Sequence, residues 1–176
     1  PPADATPTVV LTLHPAPEAP ARGLVLRWAR TTLAIQPALA GIKHLNRLEQ
    51  VLARSEWQDP GIDEALMCDS EDRVVSATSA NLFALGGGRW LTPSVQRCGI
   101  AGVARDWVLG NVPGARVGDL SAAEVSHASA LFLCNSVRGI LPVARLGMRE
   151  GPRDDEVAPL RALLAEAHPA FAQREQ

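Results

Sequence analysis

Two segments in which short apolar runs flank a tight turn constrain the fold of this chain most strongly. Residues 65–78 hold two such runs around Asp69-Ser70-Glu71-Asp72, a set of turn-forming residues. Residues 81–91 hold two more around Gly86-Gly87-Gly88, where positive φ angles cost little. Both segments predict β-hairpins. A flexible turn is favoured over a phosphate loop for the glycine triplet, because a strand follows it rather than a helix.

Other alternating runs predict strands near both ends of the chain. Residues 8–13 and 23–28 alternate in this way, and we expect these two strands to pair with each other. Residues 130–134 and 140–146 predict two more strands around a turn-like segment, residues 135–139.

Helical spacing appears in four places. Apolar residues recur at helical spacing from Lys43 to about Ser55, so we expect a helix with Lys43 at its start. A second helix is predicted to follow Gly99-Ile100-Ala101-Gly102. Ser121 and Glu124 have the spacing of a capping box at the start of a short helix, and residues 154–167 predict a last one. Strands outnumber helices and arrive in hairpins, which predicts an α+β fold with an antiparallel or mixed sheet.

Composition excludes several classes of function. A length of 176 residues suits one domain, and a net charge of −2 gives no electrostatic reason to bind nucleic acid or an anionic membrane. No apolar run approaches the ~20 residues of a membrane span. The three cysteines are odd in number and widely spaced, which favours reduced thiols over a disulfide framework or a metal site. We therefore expect a cytoplasmic protein without a metal.

Lys43 is the only lysine in the chain, beside sixteen arginines. Arginine stays protonated, whereas a desolvated lysine can lose its proton and form a Schiff base with a carbonyl group. On the count alone, drift in composition explains a single surface lysine at least as well as catalysis does. The residues around Lys43 decide between these two interpretations.

Two features suggest a phosphorylated ligand. The helix start after Gly99-Ile100-Ala101-Gly102 offers unpaired backbone N–H groups without large side chains, although most helix starts are simply solvated. Asn135 and Ser136 add an amide and a hydroxyl at a predicted turn, where serine is more often only a turn residue. The sequence has no nucleophile elbow, zinc-ligand spacing, Walker loop or dinucleotide fingerprint.

The segment Ile42-Lys43-His44-Leu45-Asn46-Arg47-Leu48-Glu49-Gln50-Val51-Leu52 closely resembles the cofactor-lysine segment of the aminodeoxychorismate lyase branch of the fold-type IV pyridoxal-phosphate family. The resemblance spans most of the chain. It continues through Asp63-Glu64-Ala65-Leu66, Ala80-Asn81-Leu82-Phe83, Thr92-Pro93, residues 99–105, Cys134-Asn135-Ser136 and Leu141-Pro142-Val143.

The resemblance implies pyridoxal 5'-phosphate as cofactor and assigns roles to individual residues. Lys43 would form the Schiff base and move protons. Backbone amides of Ile100 and Ala101, with Ser136 and Asn135, would hold the phosphate. The family places a glutamate against the pyridine nitrogen, and this chain has Ser76 at that position.

The resemblance also implies a fold, a reaction and an assembly. Residues 23–176 correspond to the large, cofactor-binding C-terminal domain, a pseudo-barrel of mixed sheets with flanking helices. Residues 1–22 correspond to a connecting segment with the first strand. The smaller N-terminal domain of the family has no counterpart in this chain, so we expect the chain alone to bind cofactor poorly and to be inactive. Family members are homodimers.

The implied reaction converts 4-amino-4-deoxychorismate to 4-aminobenzoate and pyruvate. Two alternatives stay open at this point. One is a fold-type IV aminotransferase acting on branched-chain or D-amino acids, which the neutral Ser76 disfavours because transamination relies on a strongly electron-withdrawing ring. The other is a catalytically impaired homologue that only binds the cofactor.

Overall fold

The structure, a computed structural model, describes residues 6–15, 17, 20, 22–150 and 154–172. Nine strands are described: β1 (Leu24–Trp28), β2 (Glu64–Cys68), β3 (Val74–Ala77), β4 (Asn81–Gly86), β5 (Arg89–Pro93), β6 (Arg116–Gly118), β7 (Ala130–Asn135), β8 (Gly139–Leu146) and β9 (Arg149–Glu150). The α-helices of the same residues are α1 (Leu48–Arg54), α2 (Val103–Asn111), α3 (Ala122–His127) and α4 (Ala158–Ala167).

The strands form one curled mixed sheet in the order β3-β2-β1-β8-β7-β4-β5-β6, with β9 on β8. Antiparallel pairing joins β2 to β3, β4 to both β5 and β7, and β7 to β8. Strand β1 is parallel to both of its neighbours, β2 and β8, and β5 is parallel to β6. The α+β fold with a mixed sheet is therefore confirmed.

The central strands are buried on both faces. Because successive side chains of a strand point to opposite faces, each of these strands contributes to two core clusters. In β4, Leu82 contributes to one core cluster and Phe83 to the other. The first cluster includes Val125 of α3. The second lies under α2 and α4, where the Phe83 and Phe132 rings stack with their centroids 4.8 Å apart. A third, smaller cluster joins Ala53 of α1 to Met67 of β2 and Val75 of β3.

The two predicted hairpins are confirmed as β2–β3 and β4–β5. The predicted strands after residue 130 are present as β7 and β8. The capping box of α3 is formed as well, since Ser121 Oγ accepts the Glu124 N–H at 3.2 Å and Glu124 Oε2 accepts the Ser121 N–H at 2.8 Å. Each of these features depends on residues close together in the sequence.

The strand predicted at residues 8–13 is wrong. Residues 6–15 have no regular secondary structure, and Leu11 and Leu13 are 95% and 98% exposed. An alternating run becomes a strand only where another strand pairs with its backbone, and β1 takes its partners from β2 and β8 instead. The expected pairing of the first two runs is wrong for the same reason. The expected linker at residues 1–5 lies outside the described residues.

The first helix begins five residues later than predicted, at Leu48, so Lys43 lies in an irregular segment before α1 and not at the helix start. Gly41, with φ +79°, forms an isolated bridge with Ile100 that fixes the start of this segment. The last α-helix also begins late, at Ala158, after a 3-10 turn at Asp154–Glu156. Pro159 suits this first turn because it lacks an N–H group.

All three cysteines are free thiols, and Cys98 and Cys134 are buried. Burial raises the pKa of Cys98 to about 11, so the thiolate is disfavoured. Among the described residues, no helix is both long enough and apolar enough to span a membrane.

Candidate functional site

A cavity of about 510 Å³ lies between the lysine segment, the start of α2 and the turn after β7. All six residues predicted to act in the site line it: Lys43, Ser76, Ile100, Ala101, Asn135 and Ser136. They come from four separate parts of the chain, and the fold brings them to one cavity. Their chemical roles remain predictions.

Two backbone hydrogen bonds fasten the lysine segment to the opposite wall. The Gly41 N–H donates to the Gly99 carbonyl at 3.0 Å, and the Ala101 N–H donates to the Gly41 carbonyl at 3.1 Å. Lys43 follows two residues later, is exposed, and makes no hydrogen bond or ion pair within the described part of the chain. Its amine is therefore available to a ligand in the cavity.

The start of α2 is held in place from two sides. Asn81 Nδ2 donates to the Ile100 carbonyl at 2.9 Å, and a Cβ at Gly102 would overlap Asn81 Oδ1. Arg105, buried in the first turn, donates from Nε to Thr92 Oγ1 at 3.2 Å and from Nη2 to the Pro93 carbonyl at 3.0 Å. These contacts fix the helix start against β4 and β5.

The helix start offers further candidate donors besides the predicted backbone amides of Ile100 and Ala101. The Ala101 N–H already donates to Gly41, so it is not free to bind a ligand in this arrangement. Val103 and Ala104 line the cavity as the first two residues of α2, and N–H groups in a first turn have no partner within the helix. An anion in the cavity would meet these N–H groups and the positive end of the helix dipole.

Ser76 lies in β3, opposite Met67 of β2, and is 8% exposed. It lines the cavity, and no hydrogen bond to its hydroxyl is found in the described part of the chain. A neutral hydroxyl, able both to donate and to accept, thus stands where the resemblance led us to expect a carboxylate.

Asn135 and Ser136 differ in availability. Asn135 Oδ1 accepts the N–H groups of Val137 and Arg138 at 3.1 Å and 2.8 Å, and its Nδ2 lies 3.4 Å from the Ser79 carbonyl. This amide therefore shapes the turn and has little capacity left for a ligand. Ser136 is exposed on the cavity, and its hydroxyl has no partner among the described residues.

Glu64 holds the β3–β4 turn that lines the cavity, a role that was not predicted from the sequence. Its carboxylate is 5% exposed and accepts hydrogen bonds from the hydroxyls of Thr78 and Ser79, the latter at 2.6 Å, and from the Ser79 N–H at 3.2 Å. Thr78 and Ser79 form the β3–β4 turn and line the cavity. The acid at the start of β2 and the hydroxyl pair before β4 were visible in the sequence, but nothing local links them.

A buried acid also secures the loop before α2. Asp69, 2% exposed, accepts the N–H groups of Glu71 and Arg73 and binds the Arg73 guanidinium, with Nε 3.0 Å from Oδ2. Glu71 Oε1 in turn lies 2.7 Å from Arg97 Nη2. Because Arg97 precedes Gly99 by two residues, this network ties the β2–β3 turn to the cavity wall.

Comparison with known proteins places the chain among enzymes. The model of a family described as amino-transferase class IV matches residues 1–146. An aminodeoxychorismate lyase of Vibrio harveyi is 34% identical over 143 residues, which is 79% of this chain and 53% of that protein.

Solved structures give the same result. The crystal structure of 4-amino-4-deoxychorismate lyase from Pseudomonas aeruginosa superposes with a TM-score of 0.77 at 43% identity and covers 83% of this chain and 56% of that one. The branched-chain amino acid aminotransferase of Thermobaculum terrenum, solved in its PLP form, superposes with a TM-score of 0.74 at 25% identity and covers 86% and 52%. The chain spans about half the length of these relatives.

The Asp69 network predicts how stability depends on pH. Burial alone would raise the pKa of Asp69, but the N–H groups of Arg73 and Glu71 and the Arg73 guanidinium outweigh it and hold the pKa below its usual 3.8. A lowered pKa adds stability above the unfolded-state value, and this stability is lost as pH falls through the folded-state value. We expect Asp69→Asn to lower the free energy of unfolding at neutral pH and to flatten its fall between about pH 5 and about pH 2.

Urea unfolding at a series of pH values measures this effect. The exposed Asp119 provides the control, since Asp119→Asn should leave the profile unchanged. An equally steep acid fall in Asp69→Asn and in the unmodified protein would show that the network does not carry the pH dependence.

Proposed function

Since the chain belongs to the amino-transferase class IV family, we propose that it is the cofactor-binding part of a pyridoxal-phosphate-dependent lyase. The proposed reaction converts 4-amino-4-deoxychorismate to 4-aminobenzoate and pyruvate, a step towards folate, in the cytoplasm. One observation carries the proposal: the only lysine of the chain lines the same cavity as the open start of α2. The two lyase relatives support the choice of reaction.

The residues of the cavity suit the phosphate of this cofactor. A phosphate requires several donors and a positive potential, and a helix start supplies both. We assign the phosphate to the N–H groups of Val103 and Ala104 and to the Ser136 hydroxyl, with the Ile100 N–H as a further donor. Gly102, without a Cβ, leaves room for the Asn81 side chain that holds the helix start. Ala101 contributes to the cavity wall, while its N–H donates a hydrogen bond to the Gly41 carbonyl.

Lys43 supplies the reactive amine in this proposal. Its Nζ would hold the cofactor covalently, and as a free amine it would move protons at the substrate. When bound, the cofactor supplies a conjugated ring that withdraws electrons from the substrate. Since the turn that carries Ser136 also lines the cavity, a ligand held there would face the Lys43 amine.

Ser76 is the residue we propose to face the pyridine nitrogen. A hydroxyl at that position can donate to an unprotonated nitrogen, which leaves the ring a weaker electron acceptor than a carboxylate partner would. Loss of pyruvate from aminodeoxychorismate is driven by formation of an aromatic ring, so a lyase tolerates a weak acceptor better than an aminotransferase does. The aminotransferase remains the second candidate because of the Thermobaculum terrenum relative.

The assignment of Lys43 is tested by covalent trapping. The chain, in the longest polypeptide that its gene encodes, is mixed with pyridoxal 5'-phosphate, reduced with borohydride and analysed by peptide mass mapping. We expect a cofactor adduct on the peptide that contains Lys43, and none in Lys43→Ala.

The matched control is the double variant Lys43→Ala, Arg89→Lys, which restores one lysine on the exposed β4–β5 hairpin. We expect no adduct from it. An adduct of equal yield in this double variant would mean that any exposed lysine reacts, and the assignment of Lys43 would fail.

The choice between lyase and aminotransferase is tested through Ser76. We expect the full-length protein to release pyruvate from 4-amino-4-deoxychorismate and to convert little bound cofactor to its pyridoxamine form when leucine or D-alanine is offered. Ser76→Glu should increase that conversion by about tenfold or more, since a carboxylate strengthens the ring as an electron acceptor. Ready conversion in the unmodified protein, without pyruvate release, would assign it to the aminotransferases. Cofactor binding with neither reaction would assign it to the impaired homologues.

A homodimer is proposed from the apolar surface of the lysine segment. Leu45 is 100% exposed, Leu48 68% and Val51 60%, side by side beside the cavity. Apolar patches of this kind are commonly covered by a partner. We expect Leu48→Glu to shift the mass measured by light scattering from dimer to monomer, whereas Leu13→Glu, at an exposed position outside the lysine segment, should leave it unchanged. An unmodified protein that is monomeric at all concentrations would contradict the proposal.

A further inference from the structure

One stripe of helix α1 faces the cavity. Arg47, at the N-cap of the helix, Gln50 and Arg54 follow one another at spacings of three and four residues, which places them on one face. Arg47 and Gln50 also line a second cavity of about 640 Å³ on the other side of the lysine segment. These two side chains therefore lie in the wall between both cavities.

The charges around the first cavity are unbalanced. Its cationic side chains are Lys43, Arg47 and Arg54, and none of its described lining residues is Asp or Glu. Arg54 is already engaged, since its guanidinium lies over the Trp57 ring at 4.4 Å. Arg47 makes no side-chain hydrogen bond or ion pair within the described residues. A partly desolvated guanidinium without an anion is unfavourable, and a bound anion would relieve that cost.

The surroundings of Arg47 do not supply that anion. Burial lowers the pKa of Arg47, and the nearby Glu49 offsets this only in part. The Glu49 carboxylate is directed elsewhere, because its Oε1 accepts the Ala34 N–H at 2.9 Å. Arg47 stays charged, since guanidinium is protonated at every physiological pH.

Gln50 gives a second, independent sign of a ligand. Its Oε1 is buried and has no hydrogen-bond partner within the described residues. A buried acceptor without a donor costs free energy, and an N–H or O–H group of a ligand would remove that cost. This orphan oxygen belongs to the residue one helical turn from Arg47, on the same wall.

We propose that Arg47 and Gln50 form a carboxylate subsite of the cavity, in which the Arg47 guanidinium binds a carboxylate and Gln50 Oε1 accepts a hydrogen bond from the same ligand. The inference rests on the proposed function in taking the cavity as the substrate site. It adds an anion site on α1, separate from the helix start of α2. This subsite selects substrates that carry a carboxylate near a hydrogen-bond donor over substrates with an apolar group there.

Binding of 4-aminobenzoate and of its neutral isostere 4-aminobenzamide tests the subsite by calorimetry on the full-length protein without cofactor. In the unmodified protein we expect 4-aminobenzoate to bind more tightly by about tenfold, the size of one charge-assisted hydrogen-bonded contact. Arg47→Gln should remove this preference, and Arg47→Lys should restore part of it. Arg54→Gln removes the same charge from the same wall and should change the preference less than about twofold, because the Arg54 guanidinium already lies over the Trp57 ring.

Gln50→Leu separates a binding role from a structural one. If Gln50 Oε1 awaits a ligand, its replacement by a similar-sized apolar side chain should leave the unliganded melting temperature equal or higher. The same variant should weaken 4-aminobenzoate binding. A lower melting temperature with unchanged affinity would show that Gln50 is structural and would overturn its part in the subsite.

Pyridoxal 5'-phosphate titrations of the same variants keep the two proposals apart. We expect Arg47→Gln to change cofactor affinity less than about twofold. If Arg47→Gln instead weakens cofactor binding and leaves the preference for benzoate over benzamide intact, the carboxylate subsite is wrong and the cofactor site stands. If no variant binds cofactor but the preference still depends on Arg47, the proposed function fails and the subsite stands. Equal binding of the two probes by the unmodified protein overturns the subsite.

Discussion

The cavity depends on one backbone contact, the pair of hydrogen bonds that joins Gly41 to Gly99 and Ala101. Gly41 can form them because its φ of +79° costs a glycine little. This contact fixes the start of the segment around Lys43, whose apolar side chains Ile42, Leu45 and Leu48 are exposed. The contact also holds the lysine opposite the start of α2. The geometry of the site therefore follows from a backbone interaction, and the reactive side chains depend on it.

Local signals were sufficient for much of the fold. The hairpins β2–β3 and β4–β5, the capping box of α3 and the approximate extent of α2 follow from turn residues and spacing within a few positions. The wrong predictions concern segments whose conformation depends on contacts with residues distant in sequence. The alternation at residues 8–13 predicts a strand, but no partner strand lies beside it. The periodicity after Lys43 predicts a longer helix, but Gly41 is bridged to Ile100 and the segment stays irregular up to Leu48.

The candidate site likewise has features that could be predicted from the sequence and features that could not. The resemblance to the fold-type IV family is confirmed. All six residues that it indicated line one cavity, although they come from four separate parts of the chain. The resemblance could not indicate which donors are free. The Ala101 N–H is used by Gly41, and the Asn135 amide is used by its own turn. Glu64 and Gln50 were missed because a buried carboxylate beneath a turn and an unpaired amide oxygen have no signature in sequence.

The parallel pairing of β1 with both β2 and β8 affects the order in which the elements of the fold can form during synthesis. Leu24 of β1 pairs with Val143 of β8, and Leu26 with Glu64 of β2. During synthesis the hairpins between residues 64 and 93 can form as soon as they emerge, but one edge of β1 has no partner until β8 is made. The turn that carries Ser136 emerges only just before β8. The cavity is thus among the last features to be completed, and a chain that stops short of β8 would lack the strand that joins β1 to β7 in the sheet.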